Sequence, residues 1–152
     1  MTFYFDSAMA VKQHDIVLEK SGGLQGIKEI GLLESTLDFI QDDRYYPTFE
    51  EKLTHLVFAV AKNHAFLDGN KRSSIVLGAF FLNINEYPDY VIDRFMNQME
   101  SIVLVTVINQ ISKDDLSEII ALIINDLPYT DELAIKLTKA IQYYNDNFSD
   151  NI

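Results

Sequence analysis

Apolar residues recur at helical spacing along most of the chain, and glycine, proline and capping residues divide them into a series of predicted helices. The first covers residues 8 to 20 and ends at Gly22-Gly23. The stretch GGLQGIKEIG, residues 22 to 31, holds four glycines and reads as an ordered turn or hairpin loop. A second helix follows over 32 to 41. Thr48, with Glu51 three residues later, matches a capping box and opens a third, on which Leu53, Leu56, Val57, Val60 and His64 share one face. His64 is thus expected to end the apolar stripe of that helix.

The pattern breaks over 65 to 69, and a fourth helix runs from about Asn70 to Asn85. It is apolar nearly all round, which predicts a central, buried helix. A fifth covers about 93 to 111, and a capping box at Ser112 and Asp115 leads a sixth up to Asp126, where Pro128 stops it. The last, 131 to 147, carries Leu133, Leu137, Ile141, Tyr144 and Phe148 on one face. The expected architecture is an all-α bundle with one small β-hairpin at the glycine-rich loop.

Composition narrows the function classes. The 152 residues fit one domain with a sizeable core. The longest uncharged apolar run, Ile75 to Leu82, is far shorter than the roughly 20 residues needed to cross a bilayer, and no signal peptide is visible. Cytoplasm is the expected location. Without cysteine there is no disulfide framework, thiolate metal site or cysteine nucleophile. A net charge of −11 argues against general binding to nucleic acid or anionic membrane. The basic residues are scattered, and only Lys71 and Arg72 are adjacent. A basic pair beside a glycine in so acidic a chain points to a local anion.

That pair belongs to NHAFLDGNKRSS, residues 63 to 74, a helix–loop–helix corner. The start of the fourth helix offers unpaired backbone N–H groups and the positive end of the helix dipole. Gly69 lets a phosphate approach, Lys71 and Arg72 add charge, and Asp68 is a hard oxygen ligand suited to Mg²⁺. His64 can accept a proton near neutral pH. Base, metal ligand and phosphate cradle are the parts of phosphoryl or nucleotidyl transfer. Each residue alone has an ordinary reading: a capping histidine, a turn, a solvated charge pair. Together within nine positions they call for a common purpose. Phe66 reads as a plug holding the loop to the core. The Walker A and dinucleotide-binding patterns do not fit, and His14 and His55 lack the spacing of a zinc site.

HAFLDGNKR resembles the signature of the Fic/Doc (Fido) family, H-x-F-x-[DE]-[GA]-N-[GK]-R. The segments GGLQGI, GLLESTLDF, YPTFEEKL, KNHAFLDGNKR and AFFLNINEY succeed one another as in death-on-curing, Doc-type proteins, over about residues 5 to 127. The resemblance implies an all-α Fido-type helical bundle over residues 1–127; 128–152 lies beyond the family pattern, and its apolar stripe reads as a helical extension packed on the same domain, with a detachable cover for a partner's groove as the alternative. It implies ATP and Mg²⁺ as nucleotide substrate and metal, His64 as base, Asp68 as metal ligand, and Gly69, Asn70, Lys71 and Arg72 as phosphate-binding residues. Gly22, Gly23, Leu24, Gln25 and Gly26 resemble the flap that aligns the target chain by strand addition.

The motif is a hybrid. Fic adenylyltransferases have proline, a second glycine and a further arginine where this chain has Ala65, Lys71 and Ile75. Lys71 is the Doc choice, for which the resemblance implies kinase activity; Gly69 is the Fic choice. None of the nine glutamates is followed by glycine or asparagine, so the inhibitory [ST]-x-x-x-E-[GN] helix of many Fic proteins is absent. A separate Phd-like antitoxin is the expected substitute. The leading expectation is a Doc-type protein-hydroxyl kinase acting on a target protein, the toxin of a toxin–antitoxin pair. A Fic-type adenylyltransferase and an inactive Fido domain serving as a binding module stand as alternatives.

Overall fold

The computed structural model describes residues 1–24 and 26–148; Gln25, placed in the expected flap, lies outside the described residues. Among these are seven helices: α1 (Ser7–Ser21), α2 (Ile30–Phe39), α3 (Phe49–Asn63), α4 (Asn70–Ile84), α5 (Asp89–Val107), α6 (Lys113–Ile124) and α7 (Asp131–Asn147). Their starts follow local chemistry. Thr48 accepts from the Glu51 N–H at 3.1 Å, and Ser112 and Asp115 close a capping box in both directions. None of these helices is long and apolar enough to cross a membrane.

α4 lies at the centre, packed against α1, α3 and α5; α6 covers α3 and α5, α2 lies on α3, and α7 lies on α5. The reason is visible in its sequence. Leu77, Phe81 and Leu82 are fully buried, and Gly78 brings α5 and α3 close. A Cβ at Gly78 would stand 2.7 Å from Phe95 Cζ and 3.1 Å from Val57 Cγ2. α7 adds Leu133, Leu137 and Ala140 to the same core, while Phe148 is exposed. Its face is tied down by Tyr129, whose hydroxyl donates to Gln98 Oε1, and by the Lys136–Asp115 ion pair at 3.1 Å.

Lys52 carries a buried charge in this frame. Lys52 donates to the Ile40 carbonyl at 2.8 Å and to Asp43 Oδ1 at 2.6 Å, closing the end of α2. The ammonium therefore keeps hydrogen-bond partners for its charge and satisfies a carbonyl the helix leaves open.

The expected hairpin is not seen among the described residues. One antiparallel bridge, Ile27 to Phe66, takes its place. Gly22, Gly23 and Gly26 have φ of 78°, 127° and 135°, so the glycine-rich segment cannot run as an extended strand and pairs instead with the distant α3–α4 loop.

Two outcomes follow from this packing. Gly78→Ala gains about 1 kcal/mol of helix propensity but overpacks a fully buried phenyl ring, at about 1–3 kcal/mol; calorimetry should show a lower Tm. The second concerns His55, whose ring stacks on Tyr46 with centroids 4.5 Å apart and whose Nδ1 accepts from Lys113 Nζ at 2.9 Å. Burial, and then the Lys113 charge, lower its pKa to about 4. The fold therefore favours the neutral ring: the stability it contributes is present above the unfolded value of 6.5 and is lost as pH falls towards 4. Tm should drop between about pH 6.5 and 5, above the usual carboxylate range, and drop less steeply in His55→Gln.

Candidate active site at the α3–α4 corner

The site is built by the loop between α3 and α4. α3 ends at Asn63, and His64 caps it with a left-handed backbone, φ 54° and ψ 46°. The ring is therefore exposed instead of ending the apolar stripe; the helix stops one residue too early to keep it there. Ala65 and Phe66 then turn inward and are buried, at 2% and 1% exposure. The Asn70 side chain clamps this turn from the first residue of α4. Its Oδ1 accepts from Phe66 N–H at 3.1 Å, and its Nδ2 donates to the Phe66 carbonyl at 3.0 Å. Asn70 was expected to bind phosphate; its side chain is committed to the loop, and its backbone N–H stands at the helix start.

The glycine-rich segment seals the loop from the other side. Lys28 and Glu29 N–H both donate to the Ala65 carbonyl, at 2.9 and 3.0 Å, and Leu67 N–H donates to Gly26 O at 3.2 Å. Asp68 Oδ1 accepts from Gly69 N–H at 2.8 Å and Oδ2 from Leu24 N–H at 3.3 Å. These two bonds, from Gly69 first, hold the carboxyl below its ordinary pKa, with help from Arg72. Glycine is required at 23, because a Cβ there would lie 2.8 Å from Asp68 Oδ2. Arg72 Nη2 lies 3.4 Å from Gly22 O. The expected flap residues Gly22, Gly23, Leu24 and Gly26 thus stand beside the motif.

Gly69, at φ 74°, is the N-cap of α4, and no side chain caps that terminus. The start of a helix, with its N–H groups and the positive end of its dipole, suits an anion. Lys71 and Arg72, both exposed, follow at once. All six motif residues His64, Asp68, Gly69, Asn70, Lys71 and Arg72 line one cleft of about 660 Å³, with Ala61, Leu67, Leu104 and Val107 as its apolar walls. Lys62 lines it too, its Nζ donating to Asn109 Oδ1 and lying 5.1 Å from the centre of the Phe58 ring. Among the described residues no group of three or more His, Asp or Glu could hold a metal. A cation here would rely on Asp68 and on ligand oxygens, which is the habit of Mg²⁺ with polyphosphates.

Sequence reasoning missed the floor of the site. His14 of α1, 1% exposed, stacks on Phe66 with ring centroids 3.7 Å apart, and its Nδ1 lies 2.6 Å from Ser73 Oγ. Burial lowers its pKa, against the pull of Asp15 and Asp68. The cleft walls Leu104 and Val107 were missed as well, since their periodicity says only that α5 has an inner face.

Asn70→Ala should cost about 1–3 kcal/mol, because two buried backbone groups of Phe66 lose their partners. Hydrogen exchange at Phe66 should rise in the variant well before global unfolding.

The Fic/DOC family model matches residues 4–82. The chain is also similar to a protein named Toxin Doc from Mycolicibacterium smegmatis, 30% identical over 109 residues, which are 67% of this chain and 82% of that one.

Proposed function

The chain belongs to the Fic/DOC family, and we propose that it is a Doc-like protein kinase that transfers the γ-phosphoryl group of ATP to a hydroxyl of a target protein. The observation that carries this reading is the single cleft in which an exposed histidine, a carboxylate, an open helix N-terminus and two cations meet. The target hydroxyl oxygen attacks the γ-phosphorus, the bond from that phosphorus to the β,γ-bridging oxygen breaks, and ADP leaves. His64 takes the hydroxyl proton. The N-terminus of α4, Lys71 and Arg72 hold the phosphate oxygens. Asp68 would hold Mg²⁺, which when bound neutralises phosphate charge. Ala61, Leu104 and Val107 offer an apolar wall to the rest of the nucleotide.

Lys71 favours phosphoryl over adenylyl transfer. Its side chain lines the cleft beside the helix start, where a glycine would leave more room for an α-phosphate. The relative's name, Toxin Doc, supports a toxic activity held in check by an antitoxin, and the missing inhibitory glutamate motif fits control by a separate, Phd-like chain. The glycine-rich segment, bonded to Asp68 through the Leu24 N–H, would meet the target chain.

ATP labelled separately on the α and γ phosphates decides the reaction. Protein labelled from γ alone is the expected result; label from α makes the protein a Fic-type adenylyltransferase, and no label from either makes it a binding module. His64→Ala should lose transfer by roughly 10²- to 10⁴-fold and still fold, since the ring is exposed. Lys71→Gly should lose γ transfer and gain some AMP transfer, read by the mass added to the target. Asp68→Ala should weaken ATP binding in calorimetry much more with Mg²⁺ present than without it.

A further inference from the structure

Among the described residues one buried side-chain nitrogen has no hydrogen-bond partner, and it is Nε2 of His14. A buried polar atom without a partner is unfavourable, and an apolar ring would fill the same space without that cost. The histidine therefore calls for a reason other than stability. Its surroundings supply one. The face of the ring lies on Phe66, at 3.7 Å between centroids and 10° between planes. Its Nδ1 is 2.6 Å from Ser73 Oγ, in the first turns of α4. Its Cε1 would stand 3.4 Å from a Cβ placed on Gly69. One ring thus touches the floor of the loop, the helix start and the helix body.

We propose that His14 is a positioning residue for the transfer reaction, setting the distance between the loop that follows His64 and the phosphate-holding start of α4. The proposal rests on the kinase reading above. Asn70 holds the Phe66 backbone and His14 holds its ring, so the two together set the backbone between His64 and Asp68. The hydrogen bond to Ser73 fixes where the ring sits along α4. Both His14 and Ser73 are buried, at 1% and 0% exposure, so the pair is closed to substrate and acts only through its neighbours.

The test uses variants that separate geometry from stability. His14→Phe combined with Ser73→Ala removes both partners of the hydrogen bond and leaves no polar atom unpaired, so Tm should stay near that of the wild type. Its kcat should fall about 10- to 100-fold, as misplacement by a fraction of an ångström to an ångström does, while KM for ATP changes by less than about 3-fold because Lys71 and Arg72 are intact. His14→Asn, able to keep the bond to Ser73 without the aromatic stack, should recover part of kcat. Wild-type kcat in the folded double variant, or a loss in either variant no larger than its unfolded fraction, overturns the proposal. If the wild type transfers no label, the reaction is wrong, and the ring resonance of His64 in NMR, identified with His64→Ala, decides the positioning alone. A shifted resonance in the folded variants supports it, and an unmoved one overturns it.

Discussion

The clamp between Asn70 and the Phe66 backbone is the constraint on which the site depends. Two hydrogen bonds of 3.1 and 3.0 Å turn a short connection into a fixed corner. With Phe66 anchored below, His64 must face outward and Asp68 must come up beside the helix start. The glycine-rich segment then has a defined edge to bond with, at Ala65 and Leu67. An asparagine suits this task because its amide carries a donor group and an acceptor group side by side, matching the two backbone groups of a single residue.

Electrostatics reinforce the corner. A chain of net charge −11 repels polyphosphates in general, yet the cleft collects Lys62, Lys71 and Arg72 around an open helix terminus. The field that matters is local. Asp68 tempers it and stays ionised because two backbone N–H groups stabilise its charge. In the proposed reading the one carboxylate among these cations would meet the metal that accompanies a polyphosphate.

Much of this was legible beforehand, for local reasons. α7 spans the expected residues 131–147, because Thr130 and the periodicity of Leu133 and Leu137 are signals within a few positions. α5 begins at Asp89, not near 93, since Pro88 pre-sets the helix entry, and it ends at Val107 because Asn109 takes a left-handed turn. The motif residues were legible because their chemistry is crowded into nine positions. What stayed hidden depends on packing across the chain. His14 and Ser73 lie 59 residues apart, and nothing near either one marks the contact. The orientation of His64 turned on one residue of helix length, finer than periodicity resolves.

The backbone of His64 has a consequence for how such a chain changes over time. A left-handed conformation at a residue with a Cβ costs roughly 1–2 kcal/mol, and glycine or asparagine would relax it. Replacing the proposed base with either should leave the fold as stable as before or more so. Most positions of a protein resist inactivating change partly because the fold suffers with the function. Here the two are uncoupled, and drift towards a well-folded, silent descendant meets no barrier from folding. With His64 as the proposed base, only a continuing demand for the activity would keep a histidine in that place.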